Sequence, residues 1–295
     1  MRTWLPTFAI LFAHALTGTA SVTTRYLVSV LDPVEIAFMR YLFGGLILLP
    51  LFFLYRSPNL NRDYYFKISG LGILFFGLFP FLFSWAFVYT NAARGALVLA
   101  TMPIWTMLLS KALGHEKFSL LSLTAIGLTL LGLFIALSDK LFLALNDSVT
   151  FKGEFIMLFA AIAGAIYAVF SRKVLQQIPA TTLTPIAMLA GCFILFPFSV
   201  ANGIDEHVIS LTHMQMGLMV YLGIVAGGIA FFLFNWALTR TTATFNTMFV
   251  TLNPIVAIFL GYLFLGEVIN ANFIIGVLTV FSGLSLAVYS QRSAF

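Results

Sequence analysis

The sequence predicts an all-α integral membrane protein, with ten transmembrane helices in two inverted five-helix repeats. Three observations predict it. Only 8% of the 295 residues are charged and 61% are hydrophobic, where a soluble domain carries about a quarter charged residues. Ten segments are long and apolar enough to cross a bilayer. An internal similarity returns at a constant register through three consecutive helices.

The composition comes first. A water-facing surface cannot be assembled from so few charges, so lipid must be the solvent for most of the chain. The 33 phenylalanines suit a lipid-facing surface better than a tight aqueous core. The net charge of +5 comes from Lys and Arg scattered singly between apolar runs, so nucleic acid is not an expected partner. The single cysteine, Cys192, rules out an intramolecular disulfide. The apolar run from Trp4 lacks a basic leader and a small-residue cleavage site, and reads as a retained first helix.

The spans follow. They read as 4–24, 33–55, 66–90, 93–113, 118–138, 153–174, 181–201, 214–238, 243–264 and 270–290. The connections are short and polar, the longest at Arg56–Tyr65, Asp139–Lys152 and Asn202–His213. The chain divides into a first repeat over 1–138, a connecting loop over 139–152 and a second repeat over 153–295. Lys and Arg bias sets orientation. With a cytoplasmic N-terminus, ten basic residues lie inside (Arg2, Arg56, Arg62, Lys67, Lys111, Lys117, Arg172, Lys173, Arg240 and Arg292). Four lie outside (Arg25, Arg94, Lys140 and Lys152), together with the acidic Asp205-Glu206 loop. Both termini are therefore expected in the cytoplasm of a cell whose inner membrane holds the protein.

The repeat is the third observation. Gly77–Ala86 reads GLFPFLFSWA and Gly228–Ala237 reads GIAFFLFNWA, an offset of 151 (228 − 77). The same offset pairs Gly72 with Gly223, Trp85 with Trp236, Pro103 with Pro254, Glu116 with Glu267 and Gly132 with Gly283. Trp, Pro and Glu are too infrequent in apolar segments for this to arise from composition. The first two helices align near an offset of 147, which pairs Arg25 with Arg172 and Pro50 with Pro197. Five spans per half is an odd number, so the second half enters the membrane from the opposite side. Secondary transporters commonly have this inverted architecture, with a binding site near the midplane.

The fourth-to-fifth helix stretches are Ala96–Glu116, ALVLATMPIWTMLLSKALGHE, and Thr247–Glu267, TMFVTLNPIVAIFLGYLFLGE. Each has a mid-helix Pro followed thirteen residues later by Glu. With the paired halves and the Arg-containing second helix EIAFMRYLFGGL (Glu35–Leu46), the chain resembles the drug/metabolite transporter superfamily in its ten-helix EamA branch. The resemblance covers essentially the whole chain. His115 departs from the pattern, standing where the second half has Gly266. The resemblance implies a carrier of small metabolites, with amino-acid export the first expectation. Carriage of a nucleotide-like metabolite or a lipophilic cation, or import, is the alternative.

Several residues could carry substrate. Arg40 lies seven residues into the second helix, roughly 10 Å deep at 1.5 Å per residue. A charge there must face the protein interior or water. It reads either as counter-ion to a substrate carboxylate or as a structural ion pair or snorkelling side chain. His14, near the middle of the first helix, reads as a proton-coupling switch or as a neutral hydrogen-bonded core histidine. Pro103 and Pro254 read as matched hinges or as packing kinks, and Trp105 and Asn253 beside them as cavity-lining. Trp85 and Trp236, with Tyr89 and Asn235 beside them, could line a cavity or form an interfacial belt. Tyr167 lies centrally in the sixth helix. Glu116 and Glu267 read as helix-start caps or as gating carboxylates. Arg40, His14 and Trp105 have no counterpart in the second half, which makes them candidates for selectivity.

Nothing resembles an enzyme site: there is no metal-ligand grouping, phosphate loop or nucleotide-binding domain, and no cofactor is expected. Transport would then be secondary and driven by gradients. The expected partners are a small-molecule substrate and the lipid bilayer. Proton coupling stays open through His14, and both monomer and homodimer fit the sequence.

Overall fold

The computed structural model describes residues 4–55, 61–90, 92–116, 120–144, 151–265 and 271–293. Among them the regular structure is helical. Ten helical spans appear in the expected order. They are α1 (Trp4–Leu27), α2 (Pro33–Leu54), α3 (Arg62–Tyr89), α4 (Ala92–Leu99 with Met102–Ala112) and α5 (Leu120–Ala144). The second half has α6 (Lys152–Leu175), α7 (Ala180–Ala201), α8 (His213–Leu238), α9 (Ala243–Met248 through Leu252–Leu265) and α10 (Ala271–Ser293). Among the described residues, nine helices are long and apolar enough to span, and α5 carries a shorter described apolar stretch, Leu120–Ala136. Phe66, Phe193, Phe198 and Leu54 point outward, as a lipid-facing surface requires.

Local chemistry explains the helix starts. Asp32 accepts from the Val34 N–H while Glu35 accepts from the Asp32 N–H, a capping box ahead of α2, with Pro33 pre-set for the first turn. Thr212 and Gln215 form the same box at α8. Two expectations shift. The α5 helix runs on to Ala144, into the stretch read as connecting loop, because Leu141, Leu143 and Ala144 are good helix formers. The loop after α7 holds a short helix, Ile204–Ser210.

The repeat is visible in the irregularities. The α3 helix widens into a π turn over Ile73–Leu78, and α8 does so over Ile224–Ile229, the same positions at the 151-residue offset. The α4 helix breaks at Ala100-Thr101 and restarts at Met102. The α9 helix tightens into a 3-10 turn at Phe249–Thr251 and resumes at Leu252. Pro103 and Pro254 therefore stand in the first turn after a break, not in mid-helix. A proline there loses no hydrogen bond, because the first N–H groups of a helix have no intrahelical acceptor.

Helix pairings come in mirrored sets. The α3 helix packs on α6 as α8 packs on α1, and α3 packs on α7 as α8 packs on α2. Likewise α4 meets α6 as α9 meets α1. The pairs α2–α7, α4–α9 and α5–α10 are each made of equivalent helices. Glycine permits the tightest crossings. A Cβ on Gly44 would stand 3.0 Å from the Gly223 carbonyl and the Gly228 nitrogen, and its counterpart Gly191 would place one 2.5 Å from Phe76 C. Matched arginines tie each repeat together: the Arg25 guanidinium donates to Phe87 O, and Arg172 Nε donates to Thr241 O at 2.7 Å.

Candidate functional site

A small cavity lies where α1, α2, α3, α4, α8 and α9 meet. Its polar lining is His14, Thr17, Arg40 and Asn253; facing these are Phe75, Phe79, Phe83, Leu99 and Met102, with Phe231, Phe234 and Val250 completing the wall. Its volume is about 40 Å³, room for a few water molecules. Substrate entry therefore requires the surrounding helices to part.

Arg40 is 97% removed from solvent, at 3% exposure. Its Nη2 donates to the Ala226 carbonyl at 3.3 Å, Nε has no hydrogen bond, and the guanidinium lies 5.2 Å and 6.0 Å from the Tyr41 and Phe231 ring centres. No acidic side chain pairs with it among the described residues. The π turn of α8 supplies the carbonyl: the Ala230 N–H bonds Val225 O and Gly227 O and steps past Ala226. Glu35, the nearest acid in sequence, is occupied elsewhere. It is fully buried, and its Oε1 is 2.7 Å from His207 Nδ1. That contact joins α2 of one repeat to the loop after α7 of the other, at one end of the bundle. The adjacent carboxylate raises the His207 pKa above its ordinary value, through the hydrogen bond first and its charge second.

His14 and Asn253 are tied through Thr17. The Thr17 hydroxyl donates to Asn253 Oδ1 at 3.1 Å and lies 3.5 Å from His14 Nδ1. His14 Nε2 is buried without a hydrogen bond, and the ring meets Phe234 edge-on at 5.9 Å. The mirrored crossing of α6 and α4 places Gly164 against Met102. The polar wall therefore sits at only one of the two mirrored helix crossings.

The remaining candidates lie elsewhere. Tyr167 and Asn235 are fully buried behind the cavity wall. The Tyr167 hydroxyl donates to Asn235 Oδ1 at 3.1 Å, and Asn235 Nδ2 donates to Thr184 Oγ1 at 3.1 Å. The Tyr167 ring stacks on Phe75 at 4.1 Å, so this network backs the cavity. Trp105 is half-buried, donates to Thr101 Oγ1 at 3.2 Å across the α4 break, and does not line the cavity. Trp85 lines a lateral groove of about 590 Å³ with Asp32, Phe81 and Phe198. Lys152 sits 4.0 Å over Tyr89 and 5.9 Å over Trp85. Trp236 lies at the opposite end, 4.1 Å beneath the Arg240 guanidinium. These three aromatics sit near helix ends beneath cations, the placement of an interfacial belt. Glu116 Oε1 accepts from the Ala243 and Thr244 N–H groups at 2.9 and 3.3 Å, capping α9. Its side chain borders an end vestibule of about 270 Å³ that also holds Arg172 and Lys173. Glu267 lies outside the described residues.

Sequence reading missed Thr17 and the aromatic wall. Both leave a signal: Thr17 is three residues after His14, and Phe75, Phe79 and Phe83 recur every four residues on one helix face. The π turns leave none, since nothing in the residue types requires them.

The description "EamA-like transporter family" matches residues 4–138 and 151–289, one copy per half. The chain is 24% identical over 270 residues to an "Uncharacterized transporter" of Clostridium kluyveri, covering 90% of this chain and 86% of that protein. It is 24% identical over 263 residues to the "Uncharacterized transporter YoaV" of Bacillus subtilis, covering 88% of each. A solved structure of 18% identity superposes with a TM-score of 0.78 over 97% of this chain and 98% of its own, which establishes a shared fold. The duplicated match, the ten helices and the relatives agree: this multi-pass membrane protein belongs to the EamA-like transporter family.

Proposed function

We propose that the chain exports amino acids or related carboxylated metabolites across a bacterial inner membrane. Arg40 is the counter-ion for the substrate carboxylate. The observation that carries this reading is a cation with 3% exposure, set in a cavity wall without an acidic partner among the described residues. A buried charge without a counter-charge is expensive, and an anionic substrate would supply the missing one. The Phe75, Phe79 and Phe83 face suits an apolar body on the same molecule. A lipophilic cation would meet Arg40 as a like charge, which argues against the alternative substrate class.

Alternating access is the mechanism we infer. The mirrored helix pairings give two arrangements of comparable packing, and the breaks beside Pro103 and Pro254 are the points where α4 and α9 bend between them. The repeats, 1–138 and 153–295, are interleaved, so the moving units are the mirrored groups α1 with α8 and α9, and α6 with α3 and α4. The end bearing Glu35 and His207 is the outer one, both termini are cytoplasmic, and Glu116 closes the inner end. The cavity is too small for a metabolite in this state, so the helices must part to admit one. Any proton coupling would run through His14, the only cavity-lining group besides Arg40 with an ionisable side chain among the described residues.

Flux in proteoliposomes tests the reading. Labelled amino acids should accumulate by counterflow, and Arg40→Gln should lower flux per KM about ten- to a hundredfold, the worth of one charge-assisted hydrogen bond. Absence of flux for every carboxylated metabolite, or equal flux in Arg40→Gln, would overturn it.

A further inference from the structure

The lateral groove beside Trp85 lies where the start of α2, the second half of α3 and the end of α7 meet, and it shares no lining residue with the Arg40 cavity. Its lining is graded. Asp32 and Asn202 lie at helix ends, whereas Leu195 is seven residues back from Asn202 along α7, and Phe81 seven back from Val88 along α3. Seven residues of helix are about 10 Å. The groove is thus polar at its mouth and apolar at its floor. Val88 and Phe198, both exposed, form its rims, so in a membrane-spanning chain it opens onto lipid. Charge at the mouth is divided. Asp32 is a carboxylate on the α2 side, with Glu206 near enough that both act on His207. On the α3 side, Lys152 stands 5.9 Å over the Trp85 ring. Capping of α2 accounts for one Asp32 oxygen, which accepts from the Val34 N–H, but not for the charge, because Asn caps as well as Asp. At the 147-residue offset the twin of Asp32 is Pro179, and α7 starts there without a side-chain cap. The duplicated frame therefore does not require a carboxylate at this place.

We propose that the groove binds a membrane phospholipid whose headgroup carries a primary ammonium, ethanolamine being the simplest. An acyl chain lies along Phe81, Leu195 and Phe198. The ammonium sits on the Asp32 side of the mouth and the phosphate on the Lys152 side, so each headgroup charge has an opposite one nearby. A primary ammonium also brings three N–H donors. A choline headgroup carries the same charge and no N–H donor. A glycerol headgroup brings only the phosphate's negative charge to a mouth that already holds Asp32 and Glu206. The proposal is independent of the reading of Arg40 as substrate counter-ion.

Native mass spectrometry of the full chain in detergent tests the proposal, with phosphatidylethanolamine, phosphatidylcholine and phosphatidylglycerol of identical acyl chains supplied in equal amounts. The wild type should retain the ethanolamine lipid about three- to fivefold more than either of the others, the worth of a partly exposed ion pair. Asp32→Asn keeps the α2 cap and removes the charge. It should bring ethanolamine and choline lipids to near-equal retention and raise that of the glycerol lipid. Val88→Trp places a large side chain on an exposed rim of the groove and should lower retention of all three. Equal retention by the wild type overturns the proposal, as does an ethanolamine preference that survives in folded Asp32→Asn. An unchanged preference in Val88→Trp puts the bound lipid elsewhere on the surface and overturns it too. The wild-type comparison requires no variant, so an Asp32→Asn protein that does not fold leaves that ratio and Val88→Trp to decide.

Discussion

Replacing Arg40 with methionine should move stability and binding in opposite directions. The change keeps a long side chain and removes the charge. The interactions lost are one hydrogen bond at 3.3 Å and two ring contacts at 5.2 and 6.0 Å. The first is worth about 1 kcal/mol and the others together roughly 1 kcal/mol at these separations. On the other side is the cost of holding a cation in a mid-span position, about 2.5–3.5 kcal/mol on insertion scales. The buried Nε without a partner adds roughly 1–2 kcal/mol. The ligand-free variant should therefore be more stable by about 1.5–3.5 kcal/mol, and its thermal midpoint in detergent should rise by several degrees. Carboxylated ligands should no longer stabilise it. A lower midpoint for ligand-free Arg40→Met would refute the reasoning, since it would make the guanidinium a structural strut that the fold needs.

Four further outcomes follow from named contacts. Gly72→Ala would drive a Cβ to 2.2 Å from Ala187 O, backbone against backbone, and should abolish folding or cost several kcal/mol, whereas Gly127→Ala meets nothing within 4 Å and should leave the thermal midpoint nearly unchanged. The His207 pKa is raised in the folded state, so its contribution to the Glu35 contact is complete below the ordinary histidine value and is lost as pH rises through the raised one. The midpoint difference between wild type and His207→Ala should accordingly vanish on the alkaline side, with Glu206 and Asp32 adding to the same trend; a difference that grows with pH would contradict the pairing. Asn253→Ala removes the Thr17–Asn253 hydrogen bond, leaves the Thr17 hydroxyl to His14 O at 3.3 Å, and should lower stability by about 0.5–1.5 kcal/mol in thermal unfolding. Tyr167→Phe should cost a similar amount through the Asn235–Thr184 network, while KM changes by less than about threefold because the hydroxyl does not line the cavity; a large KM shift would bring Tyr167 to the substrate.

Some of the site could be read from residue types. A lone arginine in an apolar span has few physical options, and Arg40 does line the cavity. His14 and Asn253 are polar groups at mid-span, and they sit there too. Trp85, Trp236 and Tyr89 could not be placed this way, because an aromatic near a helix end serves a cavity wall and an interfacial belt equally well. The pairing of Glu35 with His207 crosses 172 residues of chain, and no local pattern predicts it.

Membrane residence, the number of spans and their inverted duplication were determined by the sequence alone. The reason is that they depend on quantities summed along the chain: charge content, apolar run length and a register repeated over many positions. Which face of each helix turns inward was decided only by the tertiary structure. In a soluble helix an amphipathic stripe marks the buried side, but a span with lipid on one face and protein on the other is apolar all round, so its 3.6-residue period carries little signal. The inward set emerges when ten such helices are packed against one another. Only then do Arg40, His14, Asn253 and the Phe75–Phe79–Phe83 face come together around one space.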